Sequence, residues 1–249
     1  MQGFSDPLSR SYARWTGFFY LGIAIAGGFS IAYVPSQIVV AQDAGATVAN
    51  ILTRTSLYHM GIAADLVVMV FELMAMTMLY FMFRHVSQTL SFAAAMARLS
   101  MVSVMSAMLF FHAGADLLAH SDQIMTHFTT DQRADLAGLL LEMHRAGVWI
   151  WQVFFSVHLL LLGYLVVQSG RFPVLLGYGL MLGAAGYALD SIYAFAFPDV
   201  TWLGILRIGL LAVVTLSEVG FALWLIIRAP KAPETVRPAL APNRLQMPA

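Results

Sequence analysis

The chain has 249 residues, of which 60% are apolar and 10% charged, and its formal net charge is zero. A soluble domain carries roughly 25% charged residues, so this composition excludes a water-soluble globule, and a neutral chain offers no field to attract nucleic acid. Cysteine is absent, which excludes disulfides, CxxC redox pairs, thiolate-held clusters and c-type haem, and leaves histidine and carboxylate as the strong metal ligands.

Arg10 and Arg14 precede an apolar run that starts at Trp15 and continues to about Val34. That is longer than the roughly 7–15 apolar residues of a signal peptide, so the run reads as a retained first transmembrane helix. Further runs long enough to cross a bilayer follow, and the six spans are expected at 15–35, 57–83, 89–119, 146–168, 174–197 and 202–228. Pro35 should end the first span. Arg84 to Gln88 form a polar turn, Gly170 and Pro173 separate the fourth span from the fifth, and Pro198-Asp199 ends the fifth. Two outer loops read as short helices: residues 44–54, capped by Asp43, and residues 130–144. In the latter, Leu136, Leu139, Leu140 and Met143 form an apolar face opposite Asp131, Arg133 and Asp135.

The expected fold is therefore all-α: a polytopic membrane bundle of six transmembrane helices with short amphipathic outer-loop helices. Residues 1–14 read as a cytoplasmic segment, 15–228 as the transmembrane domain, and 229–249, with Pro230, Pro233, Pro238, Pro242 and Pro248, as a disordered cytoplasmic tail. Arg10, Arg14, Arg84, Arg171, Arg228 and Lys231 fall on one side, and Arg54, Arg133 and Arg145 on the other. The richer side should be cytoplasmic, which places both termini inside and the chain in the inner (plasma) membrane. Gly179 and Gly183, with Gly177 and Gly186 nearby, form a small-residue face for close helix packing.

Ionisable residues inside the spans locate any chemistry, because hydrocarbon penalises each one that lacks a partner. Glu72, Arg98, His158 and Glu218 lie on four helices at a shared depth, roughly 15 Å from the cytoplasmic ends. They read as an ion pair between Glu72 and Arg98 completed by His158 and Glu218, or as a proton relay. Nearer the outer face, His112, Asp116 and His120 recur at i, i+4 and i+8, on one helical face. His59, Asp65, His144 and Asp190 lie at a similar level. His112 and His120 with His59 or His144 are candidate ligands of a divalent metal such as zinc, with Asp116 or Asp65 orienting or activating water. Asp190 and Arg207 face one another across the last outer turn and are expected to form a structural ion pair.

Three stretches carry a family resemblance. They are Ala13-Arg14-Trp15-Thr16-Gly17-Phe18-Phe19-Tyr20-Leu21, then Asp43-Ala44-Gly45-Ala46-Thr47-Val48-Ala49-Asn50-Ile51, and the segment from Leu160-Leu161-Leu162-Gly163-Tyr164-Leu165 through Gln168-Ser169-Gly170-Arg171-Phe172-Pro173 to Leu176-Gly177. Together they resemble a bacterial membrane family, DUF4386, over about residues 13–227. Members often follow the proline with arginine, whereas here Val174 stands there and Arg171 precedes it. The resemblance implies a multi-helix membrane domain and supplies no activity or catalytic residue.

The favoured function is a non-enzymatic accessory, assembly or sensing module of a membrane complex, in contact with the lipid bilayer and other membrane subunits. One alternative is a proton-coupled small-solute transporter using Glu72, Arg98, His158 and Glu218. Another is a metal-dependent intramembrane hydrolase built on the outer His/Asp groups. A b-type haem held by His158 is the least favoured.

Overall fold

Three helix starts fall where a short polar side chain, Ser9, Asp43 or Thr129, satisfies one of the first free amides. The Ser9 hydroxyl accepts from the Tyr12 amide and starts α1 (Arg10–Ile38) ahead of the apolar run. Asp43 accepts from the Ala46 amide and starts α2 (Ala44–Thr53). Arg54 forms the corner to α3 (Thr55–Phe83), and a short turn leads to α4 (Gln88–His120). Thr129 and Gln132 exchange side-chain and backbone hydrogen bonds in a capping box that starts α5 (Thr130–Ser169). Gly170, at φ +62°, takes the left-handed conformation that glycine adopts at least cost and ends α5. Pro173 and Val200 precede α6 (Val174–Ala196) and α7 (Thr201–Ile227). The computed structural model describes residues 4, 6–120, 123 and 125–228, with no strand among them. The tail expected at 229–249 lies outside the described residues.

The capping box gives the first checkable consequence. Thr129→Ala should lower stability by about 1 kcal/mol, read as faster amide exchange in the first turn of α5 with little change at its far end.

Two boundaries differ from the sequence reading. Pro35 does not end α1: the helix runs on to Ile38, with a π-helical stretch at Gly28–Tyr33 just before the proline. A wider turn there accommodates the missing proline N–H and the crowding of its ring. Residues 130–144 are not a separate helix but the outer part of α5, because nothing stronger than Gly147 interrupts the backbone. Its packing against the bundle is carried by small residues. Ala134 and Ala137 are buried, while Leu139 and Met143 are exposed. The close approach of α2 explains this: a Cβ on Gly138 would lie 3.1 Å from the Ala44 Cβ, leaving room only for small residues.

The six long helices close into a ring in which each packs on two neighbours: α1 on α3, α3 on α4, α4 on α5, α5 on α6, α6 on α7, and α7 back on α1. Their windows of mean hydropathy run from 1.2 to 2.3. The shortest, α6, has 23 residues, about 35 Å at 1.5 Å per residue, enough for a hydrocarbon core of about 30 Å. At 40 residues, α5 is roughly 60 Å long and its outer part overshoots the core, where α2 packs against it. Ile25, Phe110, Leu175 and Leu216 stand outward, while Arg98, Glu72, His158, Asp65 and Asp190 are buried within. This inversion of surface and interior is what lipid as solvent demands. The protein is a multi-pass membrane protein.

Glycines bring the last three helices together. Cβ atoms on Gly179, Gly183 and Gly186 would meet Ser217, Val214 and Leu210 of α7 at 2.2, 2.3 and 2.8 Å. Gly177 faces α5 instead, against Val167 and the Gly163 carbonyl. The stripe seen in sequence thus serves two interfaces.

Candidate functional site

Arg98 on α4 is the centre of the polar layer. Its Nε donates to Glu72 Oε2 on α3 in a tight ion pair. Its Nη1 lies 2.9 Å from His158 Nε2 on α5, and His158 Nδ1 lies 2.8 Å from the Ala94 carbonyl. Guanidinium only donates and carbonyl only accepts, so both contacts are met together by neutral imidazole carrying its proton on Nδ1. Both ring nitrogens of His158 are thereby engaged, which leaves no lone pair for a haem iron and no free nitrogen for a relay in this arrangement.

Glu218 on α7 does not complete that pair directly. Its oxygens accept from the Tyr20 hydroxyl at 2.8 Å and the Tyr187 hydroxyl at 3.3 Å. Tyr20 is the link, since its ring also lies 4.7 Å from the Arg98 guanidinium carbon. Sequence reasoning missed both tyrosines. They were legible in principle, because a phenol in the middle of an apolar span is itself a polar group that needs a partner.

These groups wall a cavity of about 250 Å³. Tyr20, Trp151, Phe155 and Tyr187 supply aromatic faces, and Glu72, Arg98 and Glu218 the charge-bearing wall. The lining residues Ala24, Gly28 and Ile31 of α1 and Thr215 of α7 are exposed. The mouth therefore opens sideways between α1 and α7, towards lipid rather than towards either aqueous face.

The polar groups at the end of the bundle that carries α2 divide into two clusters rather than one. At the rim, His59 Nε2 lies 3.0 Å from Asp116 Oδ2, His120 Nδ1 3.1 Å from Asp116 Oδ1, and His120 Nε2 3.0 Å from the Thr55 hydroxyl. His59 is 52% exposed, so this is a partly hydrated hydrogen-bond network. His112 is not part of it. Successive i+4 steps advance about 40° each round a helix of 3.6 residues per turn, so two steps separate His112 from His120 by about 80°. His112 turns instead to α5, where its ring stacks on His144 with centroids 3.6 Å apart and planes 15° from parallel. Asp65 of α3 completes this inner cluster. Among the described residues, Asp65, His112 and His144 are the one group of three whose ligand atoms lie within 4.8 Å of one another.

Asp190 on α6 pairs with Arg207 on α7, whose guanidinium also lies 4.2 Å above the Tyr193 ring. The pair ties the last hairpin near the turn at 197–200. Outside the spans, burial and the neighbouring Arg171 guanidinium lower the pKa of His85, while the Met82 carbonyl opposes the shift.

Six apolar helices closed round a buried polar layer define a class: a small polytopic α-helical membrane protein with an internal, lipid-facing cavity. Residues 15–229 match the family described as Domain of unknown function (DUF4386), and the chain belongs to that family. A protein of Archaeoglobus fulgidus, named only as uncharacterized, is 37% identical over 84 residues, covering 34% of this chain and 47% of the relative. The match therefore spans about half the length of that relative, and it extends the likeness to an archaeon. No solved structure matches the chain.

Proposed function

We propose that the protein is a non-enzymatic sensing module that takes a small lipophilic organic cation, an alkylammonium, into the cavity between α1 and α7. The observation that carries this reading is the charge arrangement around Glu218. The one guanidinium at that level is already paired with Glu72, and the partners of Glu218 are two neutral hydroxyls. A carboxylate so placed lacks a counter-charge, and buried charges need one. An ammonium group would supply it, with aromatic walls favouring a cation and the sideways mouth admitting an alkyl tail from the bilayer.

The fixed tautomer of His158 supports binding over proton relay, because Nδ1 already carries a proton and protonating Nε2 would break its bond to Arg98. Placement in the inner membrane with both termini cytoplasmic, and association with other membrane subunits that read the bound state, belong to this proposal. The basic-residue asymmetry of the loops supports the orientation.

The test is titration of the purified protein in nanodiscs with hexylammonium, read by fluorescence of Trp151 in the cavity wall, with Trp151→Phe as the signal control. Saturable binding is expected, weakened about tenfold or more in Glu218→Gln, given the roughly 1.5–3 kcal/mol of a hydrogen bond to a charged group. Equal response to hexan-1-ol, or undiminished binding in Glu218→Gln, would reject the reading.

A further inference from the structure

The inner outer-leaflet cluster has a pattern that packing alone does not require. Asp65 is 5% exposed, and among the described residues no arginine or lysine pairs with it. Its polar neighbours are the Ser30 hydroxyl, His112 and His144. Ser30 is itself buried within the π-helical stretch of α1, a local widening often found where a helix presents a group to a site. His144 Nδ1 lies 3.1 Å from the Met108 carbonyl, so Nδ1 carries the proton and Nε2 presents a lone pair. Histidines that bind metal characteristically spend their second nitrogen this way, and metal-binding carboxylates are likewise held by an outer hydrogen bond.

From these features we propose that Asp65, His112 and His144 form a binding site for a zinc-type divalent cation, independent of the alkylammonium reading. Two imidazoles and one carboxylate are a borderline-soft nitrogen and oxygen set, suited to zinc or cobalt rather than to magnesium or calcium. Three protein ligands leave a fourth position open. A cavity of about 20 Å³ borders Asp65 and His144, and a space above roughly 10–15 Å³ holds one water. Ile31, Met105 and Trp151 line both this small space and the larger cavity, so the open position faces the ligand chamber.

The stacked rings specify what must move. Parallel imidazoles cannot aim two lone pairs at one ion, so one ring must turn. His144 is held by the Met108 carbonyl, whereas the neighbouring Tyr58 hydroxyl bonds to the backbone carbonyl of His112 and not to its ring, so turning the His112 ring breaks no hydrogen bond among the described residues. His112 is therefore the ring that turns. The rim trio lacks these features: His59 is more than half exposed and His120 is spent on Thr55 and Asp116.

The test uses the full chain, purified with an affinity tag that contains no histidine and equilibrated with Zn2+ or Co2+. One ion per chain is expected by elemental analysis after gel filtration. The cobalt form should show the intense visible bands of low coordination, which in a chain without cysteine cannot come from thiolate. Affinity should fall tenfold or more in Asp65→Asn and His144→Gln and hold in His59→Gln. Because Asp65→Asn keeps the side-chain shape, circular dichroism of that variant separates lost binding from lost folding. No stoichiometric ion in the parent chain, or loss in His59→Gln with retention in Asp65→Asn and His144→Gln, would overturn the site.

Discussion

Arg98→Met should be the most damaging single substitution in the bundle, lowering stability by about 3–5 kcal/mol, the usual cost of stranding one member of a buried pair. The arginine is fully buried and holds Glu72 and His158 at once. Its removal leaves a carboxylate on α3 and an imidazole on α5 without their donor, and a buried group so stranded bears its desolvation uncompensated. The same reasoning predicts rescue. Arg98→Met combined with Glu72→Gln removes the stranded charge and should recover most of the loss, because replacing a buried pair by neutral groups is often close to neutral. Thermal unfolding in matched detergent reads both. Equal destabilisation in the single and double variants would mean that arginine packing, rather than charge pairing, is what matters.

Gly183→Ala should cost about 1–3 kcal/mol, as overpacking does in close-packed cores, and Gly183→Leu should prevent folding. The added Cβ would sit 2.3 Å from the Val214 Cβ and 2.9 Å from its Cα, so a change of side-chain rotamer cannot relieve the clash and the helices must part. Parting α6 from α7 also separates Tyr187 from Glu218, so the damage should reach the cavity. Gly209→Ala is the internal comparison: nothing lies within 4 Å of its new Cβ, and the gain in helix propensity, up to about 1 kcal/mol, should make it neutral or stabilising. If both glycines tolerate alanine equally, α6 and α7 are not in close backbone contact.

The fold was legible because lipid imposes a simple length code on apolar runs, and the polar breaks at Arg84–Gln88 and Ser169–Pro173 interrupt it clearly. Boundaries failed where a local rule was overruled. Pro35 is a sound helix stop in isolation, but a preceding π-helical stretch absorbs it. The leucines of residues 130–144 marked an apolar face that could lie on the membrane or cap the bundle, but they gave no sign that Ala134 and Ala137 are the residues that become buried. Of the polar layer, the shared depth of Glu72, Arg98, His158 and Glu218 followed from counting residues, but depth does not give azimuth. Which way each side chain points round its helix decided that His158 meets Arg98 while Glu218 meets Tyr20 and Tyr187. Azimuth also split the histidines: a spacing of i, i+4, i+8 shares a face only broadly, and His112 and His120 turned to different neighbours. Asp65 stood out in sequence only as one carboxylate among several. Its burial without a cationic partner is visible only once α1, α3 and α5 are in place.

Everything proposed for the interior depends on closure of the helix ring, which joins α1 to α7 across the lateral mouth of the cavity. Since the chain contains no cysteine, an introduced pair reports its own contact without background. A Cβ at Gly17 would lie 2.8 Å from both the Leu225 Cβ and the Ala222 carbonyl oxygen, so the helices must part by several tenths of an ångström to admit it, a movement that also brings the pair to the 3.5–4.5 Å typical of disulfides. Gly17→Cys with Leu225→Cys in native membranes should therefore crosslink rapidly within one chain under mild oxidation, and neither single variant should. Failure of that pair to crosslink, in protein that still elutes as a folded species, would mean that α1 and α7 do not meet and that the ring is not closed.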